Sequence, residues 1–191
     1  MSNKVISNLN PKLLFSNLIN HDDVDKEYLR KILNYKCGSG TFRMNVALSE
    51  LPNFNCLPGK EIAEHHKSGI IIAPTLTYMD EAFTDAKKHG WSKNPIVEML
   101  IPSTVDQSLA PEGKHVASLF CQQFAPKLPM NKSWHDEKTN AAETIIDTVN
   151  KYAPNFKKSI IGSSILSPLD LEEKLGLLGG CLLYTSPSPR D

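Results

Sequence analysis

Alternation of apolar and polar residues identifies one segment of the chain as a half-buried strand. Between residues 41 and 48, the apolar side chains take every second position: Phe42, Met44, Val46 and Leu48. The intervening Thr41, Arg43 and Asn45 are polar. Successive side chains of a strand point to opposite faces of a sheet, so this pattern predicts a strand with one buried face and one accessible face.

Four more segments have strand character. Val5–Ser7 resembles the end of a buried strand, and residues 68–73 form a short β-branched run that Pro74 ends. Residues 96–101 and 115–123 are further strand candidates. The Ser, Asp, Pro and Gly content of residues 102–113 favours a hairpin-like loop between these last two strands.

Apolar residues at helical spacing predict four helices, over residues 22–35, 77–89, 133–152 and 167–175. Capping signals begin three of them: Thr77 with Asp80, Ser133 with Asp136, and Ser167 with Asp170. Gly90, Pro154 and Gly176 end them. The strands and helices follow no strict βαβ rhythm. The fold class is therefore predicted as α+β, with a mixed, largely antiparallel sheet and helices on one face.

The composition restricts the function classes. The 191 residues suit one domain, and 21 basic against 21 acidic residues give a formal charge of zero. This balance gives no electrostatic reason to expect a nucleic acid partner. The longest purely apolar run, Ile70–Ala73, is far too short for a membrane span. The four cysteines are widely separated, and we expect free thiols in a reducing compartment.

Several residue groups suggest chemistry, but each has a simpler interpretation. Gly38-Ser39-Gly40 begins a dinucleotide fingerprint, yet it follows a predicted helix and precedes a strand, so we expect a plain loop. His65 and His66 are adjacent and should point apart, as surface or loop histidines. A substrate-facing role is the alternative for this pair. Asp22, Asp23 and Asp25 lack the glycine and glutamate of a calcium loop and are attributed to a helix start.

The remaining candidates are hydroxyl and aromatic residues. Ser163-Ser164 and Ser103-Thr104 lie outside any GxSxG elbow and are predicted to be loop hydroxyls. Trp91 and Trp134 flank helices and are predicted to be packing residues. From the residues alone, the catalytic residues stay unknown, and no cofactor-binding or metal-binding residue is identified.

Four stretches carry a family resemblance: residues 40–54, 94–123, 152–162 and 167–180. Ile101–Phe120, IPSTVDQSLAPEGKHVASLF, is the most specific part. Together they resemble the carotenoid/phytoene dehydrogenase-like, FAD-dependent oxidoreductases of the amine oxidase superfamily, with coverage from about Val5 to Gly180.

The resemblance implies a divided protein. Such proteins hold FAD in a split Rossmann-type domain, through an N-terminal GxGxxG turn and a C-terminal glycine-rich segment. An inserted domain covers the flavin and shapes the substrate cavity. This chain has neither FAD motif, and Cys181 departs from the acidic or amide residue that normally follows Gly180. The resemblance therefore implies a fragment of such an enzyme that carries the substrate-side domain, and we expect the fragment alone to be inactive.

Domain boundaries follow from the resemblance. Residues 1–10 are expected to end a strand of the flavin domain, 11–166 to form the substrate-side α+β domain, and 167–180 to be the exit helix. Residues 181–191, CLLYTSPSPRD, change character abruptly. They resemble a translated sequencing-adapter tail, and a native low-complexity tail is the alternative.

The resemblance also implies partners. These are the FAD domain of the parent chain and an unknown apolar small-molecule substrate, with a possible homo-oligomer, and the implied location is the mitochondrial matrix. The composition and the short apolar runs add the expectations of no nucleic acid and no membrane span. The expected cavity lining is the set of apolar strand positions Phe42, Met44, Val46, Leu48, Val97, Met99 and Ile101, with core packing as the alternative. A different function class also stays open, in which the segment is an oligomerisation or protein-interaction module that uses the apolar face of helix 133–152.

Overall fold

An antiparallel sheet organises the molecule, for which the computed structural model describes residues 4–181. Its strands are β1 (Gly40–Leu48), β2 (Ile70–Ile72), β3 (Val97–Leu100), β4 (His115–Phe124) and β5 (Ile160–Leu166). Their order across the sheet is β2-β3-β4-β1-β5, and each neighbouring pair is antiparallel. The α+β prediction is confirmed, and the sheet is antiparallel throughout rather than mixed.

In the part of the chain that the structure describes, six helices accompany the sheet: α1 (Pro11–Asn17), α2 (Lys26–Leu33), α3 (Leu76–His89), α4 (Trp134–Tyr152), α5 (Phe156–Ser159) and α6 (Pro168–Leu175). The helix predicted over residues 22–35 is shorter than expected. Asp25 caps it by accepting a hydrogen bond from the Tyr28 amide at 2.8 Å, and residues 21–23 form a separate 3₁₀ turn. Asp25 thus acts at a helix start, as expected.

The core lies between one face of the sheet and the long helix α4. Phe42, Val97 and Leu119 on the strands are completely buried, as are Ile145 and Val149 on α4. Full burial of one such side chain stabilises the fold by about 1.5–3 kcal/mol. The apolar face of α4 is therefore buried in the core. It is not available as the interaction surface that the sequence suggested.

The same observation corrects the predicted cavity lining. All seven apolar strand positions belong to the core cluster and are at most 2% exposed. They pack against α4 and its surroundings instead of lining a cavity, so core packing was the right interpretation.

The helix caps are partly as predicted. Ser167 and Asp170 form the expected capping box, in which Ser167 Oγ accepts from the Asp170 amide and Asp170 Oδ2 accepts from the Ser167 amide. Ser133 caps α4, but its hydroxyl accepts from the His135 amide. The cap of α3 is Thr75 and not Thr77, because the Thr75 hydroxyl accepts from the Tyr78 amide.

Two predictions at the ends of the chain have different outcomes. Residues 4–8 form no strand, and Val5 and Ile6 are 84% and 100% exposed. No strand of the described chain pairs with them, and their expected place in a strand of the flavin domain stays a prediction. Residues 182–191, which include most of the suspected tail, lie outside the described residues.

Candidate functional site: the open face of the sheet

The face of the sheet opposite the core is accessible and polar at its centre. The strand register places its side chains in three rows across the strands. The first row contains Ile71, Glu98, Phe120, Arg43 and Leu166. The second contains Leu100, Ser118, Asn45 and Ser164, and the third contains Val116, Ala47 and Gly162. We call these residues the open face.

Arg43 is held in place at the centre of the open face. Its Nη2 donates to Ser118 Oγ at 2.9 Å, and its guanidinium carbon lies 5.3 Å from the centre of the Phe120 ring. A hydrogen bond together with a cation–π contact fixes the guanidinium plane and leaves further N–H donors for another group. The side chain is only partly buried, so these donors are accessible.

Glu98 lies on the other side of Phe120 in the same row. Gln122 Nε2 donates to Glu98 Oε1 at 2.5 Å, which orients the carboxylate. The open face therefore presents a cation and an anion on either side of an aromatic ring. The second and third rows carry mostly small side chains, so a flat molecule could lie across them. Ile71 and Leu100 add exposed apolar surface towards the β2 edge.

A second polar cluster occupies the loop end of the β3–β4 hairpin. The rings of His65 and His66 lie close together, with centroids 3.9 Å apart and planes tilted by 41°. The His66 Nδ1 accepts from the Ala63 amide at 3.1 Å, and its Nε2 faces the Pro52 carbonyl at 3.0 Å. His66 is 1% exposed. These contacts make His66 a structural residue that ties residues 63–66 to the preceding loop.

The surroundings of His65 and His115 disfavour the charged forms of these two side chains. Burial, and then the electrostatic effect of His66, lower the pKa of His65 and also the pKa of His115. The His65 Nε2 is buried without a hydrogen-bond partner. His115 Nδ1 lies 3.5 Å from Ser103 Oγ, which accepts from the Val116 amide at 3.0 Å.

A cavity of about 420 Å³ adjoins His115 and Ser103. Its wall comes mainly from the hairpin loop and includes Gln107, Glu112 and Lys114. Glu112 and Lys114 bring opposite charges to this wall, so it has no strong preference for ligand charge. The Ser103–His115 pair has no carboxylate partner there, which leaves it short of a nucleophilic triad.

The sequence-predicted candidates are dispersed. His65 and His66 do not point apart, and His66 is buried, so the prediction of surface histidines is wrong for it. Ser103 and Thr104 lie in a 3₁₀ turn, and the Thr104 hydroxyl bonds the His66 carbonyl. Ser163 and Ser164 lie in β5 and not in a loop. That strand was missed because its Gly-Ser-Ser centre has no alternation.

The aromatic candidates are packing residues, as predicted. Trp134 is buried between Phe42, Phe124 and Trp91, with ring centroids 6.0, 6.3 and 5.6 Å away. Its Nε1 donates to the Ala125 carbonyl at 2.9 Å. The Trp91 and Trp134 rings cover the end of the core where β1 and β4 meet the start of α4.

Sequence reasoning did not identify Arg43, Ser118, Phe120 or Glu98 as a group. The alternation in residues 41–48 does place Arg43 and Asn45 opposite the core face. The partners of Arg43 depend on the β1–β4 and β3–β4 registers, which bring together residues 75 positions apart. No local pattern carries that information.

Among residues 4–181, no set of three or more His, Cys, Asp or Glu side chains is arranged to hold a metal ion. Within the same residues, no helix combines the length and the apolar character needed to cross a membrane.

Similarity to curated proteins covers nearly the whole chain. It is 35% identical over 192 aligned residues to pyridine nucleotide-disulfide oxidoreductase domain-containing protein 2 of Rattus norvegicus, and 33% identical to the protein of that name of Mus musculus. The alignments cover 98% of this chain. The chain is homologous to part of this protein. It spans 33% of the length of pyridine nucleotide-disulfide oxidoreductase domain-containing protein 2 in both species. No family model matches the chain.

Proposed function

We propose that this chain is the substrate-side domain of an FAD-dependent oxidoreductase of the carotenoid/phytoene dehydrogenase-like group. Two observations support the proposal. The relatives of this chain are named oxidoreductases, and the chain corresponds to one third of their length. The domain also has one sheet face covered by helices and a second face that is open, which suits a wall of a larger site.

The residues of this chain do not fit the phosphate portion of FAD. A pyrophosphate-binding turn joins a strand to a helix, whereas Gly38-Ser39-Gly40 leads into β1. Gly40 is required by packing, because a Cβ there would lie 2.6 Å from the Phe124 carbonyl oxygen and 3.0 Å from the Gly179 carbonyl oxygen. FAD in the parent protein would therefore be held by residues outside this chain.

The open face is the observation that carries the proposed role. In such an enzyme the flavin supplies the redox chemistry, and the protein supplies binding, orientation and water exclusion. Phe120, Leu100 and Ile71 would contact an apolar small-molecule substrate. Arg43, fixed by Ser118, would orient an oxygen of that substrate by donating a hydrogen bond. The parent's FAD domain would cover the whole arrangement.

A flavin measurement on the full-length protein tests this role. The full-length protein should purify with about one FAD per chain, and residues 1–191 should purify without FAD. Asn45→Trp fills an exposed position of the open face. In the full-length protein it should change the flavin absorbance spectrum or the quenching of flavin fluorescence by iodide. Thr77→Trp, on the exposed side of α3, is the matched control and should change neither.

Two outcomes would contradict the proposal. One is a full-length protein that purifies without flavin and does not bind added FAD. The other is an Asn45→Trp variant whose flavin signals match those of the Thr77→Trp control. The resemblance also leads us to propose a mitochondrial matrix location for the parent protein, which organelle fractionation with protease protection would test.

The interaction-module hypothesis is weaker, because its surface is used by the fold. Ile145 of α4 is fully buried in the core. An Ile145→Asp substitution would therefore disrupt the domain itself and would not report on an interface.

A further inference from the structure

Strand β5 is an edge of the sheet that has little protection against strand pairing beyond residue 161. It pairs with β1 on one side, and the strand order ends there on the other. Its sequence, IIGSSIL, contains neither a charged residue nor a proline. Gly162, Ser163 and Ser164 are exposed, and Ile161 is 61% exposed. Edge strands of soluble proteins are normally short, charged, interrupted or covered, because their unpaired amide and carbonyl groups attract other strands.

The opposite edge of the same sheet is different. Strand β2 has three residues, and Pro74 follows it closely. Its short length and the nearby proline limit pairing at that edge. Strand β5 has seven residues, and its one irregularity is a register shift against β1 that leaves Ile161 unpaired near the start, so residues 162–166 form a regular edge.

The side chains of β5 that face the core are only partly covered. Ile160 and Ile165 are partly buried and pack against the core cluster. On the other face, Gly162 and Ser164 carry little side-chain bulk opposite Ala47 and Asn45. A strand added beside β5 could place apolar side chains beside Ile165 and would meet little steric resistance on the open face.

We propose that β5 pairs with a β-strand from the part of the full-length protein that lies outside this chain, so that the sheet gains a sixth strand. This inference rests on the proposed function, in which the chain is one domain of a longer flavoprotein. The relatives contain about twice as much sequence outside the matched region as within it. A strand in the same polypeptide has a high effective concentration at β5, which favours it over a strand from another molecule.

The incoming strand has a defined chemistry. It carries apolar residues on the helix side, where it meets Ile165. It carries small or polar residues on the open face, beside Gly162 and Ser164. Its backbone occupies the free hydrogen-bonding groups of β5, so binding at this edge is by main-chain pairing with side-chain selection.

Hydrogen exchange distinguishes the possible states of β5. In residues 1–191 the outward-facing amides of residues 161–166 should exchange rapidly. In the full-length protein these amides should exchange at least roughly 100-fold more slowly. Their exchange rate there should not depend on protein concentration. The outward-facing amides of β2 provide the comparison edge within the same sample.

Two results would overturn the inference. Equally rapid exchange of β5 in both proteins would exclude a covering strand. Protection that appears only at concentrations where the protein dimerises would assign the edge to a second copy. The flavin content of the same full-length sample is measured separately. A sample without flavin would contradict the FAD proposal, whereas unprotected β5 amides would contradict the strand proposal.

A charge at the edge provides an independent test. Ser163→Lys places a charge next to the position of the added strand. Ser163 is exposed in residues 1–191, so the lysine side chain can remain in solvent there. The substitution should leave the Tm of residues 1–191 nearly unchanged and should lower the Tm of the full-length protein. Thr77→Lys is the matched control and should lower neither. Equal effects of Ser163→Lys on the two proteins would contradict the inference.

Discussion

The two faces of the sheet are built from alternate residues of the same strands, yet they have opposite properties. In β1, Phe42 and Leu48 are fully buried beneath the helices, whereas Asn45 is exposed on the other side. The core face is apolar and closed within this chain. The open face has a fixed arginine, a carboxylate and small side chains, and its apolar residues are only partly covered. Under the proposed function, the stability of the domain and its function therefore depend on separate faces.

The largest expected effect is on the core face. Phe42→Ala removes a fully buried ring that lies 5.2 Å from the Phe124 ring, between centroids. It should lower the free energy of unfolding of residues 1–191 by about 3–5 kcal/mol, because a cavity replaces the ring. Asn45→Ala, on the open face of the same strand, should change it by less than about 0.5 kcal/mol. Urea denaturation measures both, and similar losses would contradict the comparison.

The cap of α6 gives the next largest effect. Burial acts to raise the pKa of Asp170, but hydrogen bonds from Ser167, the Lys174 ammonium group and Lys138 outweigh it and hold the pKa well below its usual range. Asp170→Asn should lower the free energy of unfolding by about 1–2 kcal/mol at pH 7.

The pH dependence of the Asp170 contribution follows from the sign of its pKa shift. The folded-state pKa lies below the unfolded value, so the contribution is complete above about pH 4 and is lost as the pH falls further. Urea denaturation from pH 7 to pH 3 should bring wild type and Asp170→Asn closer together as the pH decreases. A constant difference over this range would contradict the assignment.

The rim of the core face should respond to mild acid. The pKa values of His65 and His115 are lower in the folded state than in the unfolded chain, so the unfolded chain binds more protons near pH 6. Stability should therefore decrease as the pH falls below about 6.5. Thermal denaturation at pH 7.5 and 5.5 should show a smaller decrease in Tm for His115→Gln than for wild type. His135→Gln, at an exposed position of α4, should behave like wild type.

The smallest effect is expected on the open face itself. Ser118→Ala removes the hydroxyl that accepts from Arg43, and its effect on the free energy of unfolding of residues 1–191 should be below about 1 kcal/mol. The Arg43 cation–π contact with Phe120 remains in this variant. A loss as large as that of Phe42→Ala would show that the open face contributes to folding as much as the core.

The sequence pattern predicted the core face well and the open face poorly, for a physical reason. The alternation of Phe42, Met44, Val46 and Leu48 results from burial. An apolar side chain indicates burial at its own position, whichever residues it contacts. The Arg43–Ser118 and Glu98–Gln122 contacts depend on strand register, which local patterns do not contain. Strand β5 was missed because Gly162, Ser163 and Ser164 are exposed at an edge and show no apolar alternation.

The histidine pair shows a similar limit of sequence reasoning. Adjacent residues point apart on regular structure, but His65 and His66 lie in a 3₁₀ turn that brings their rings together. The turn is held by the Pro52 carbonyl and by Thr104, which are distant in sequence. Tertiary contacts therefore decided the geometry of this site.

Hydroxyl-radical footprinting of residues 1–191 and of the full-length protein tests the central claim most directly, that the open face is a wall of a larger site. Phe120, Leu100 and Ile71 should be labelled readily in residues 1–191 and should be strongly protected in the full-length protein. Phe42 and Leu119, on the core face, should be unreactive in both. Equal labelling of Phe120, Leu100 and Ile71 in the two proteins would contradict the account.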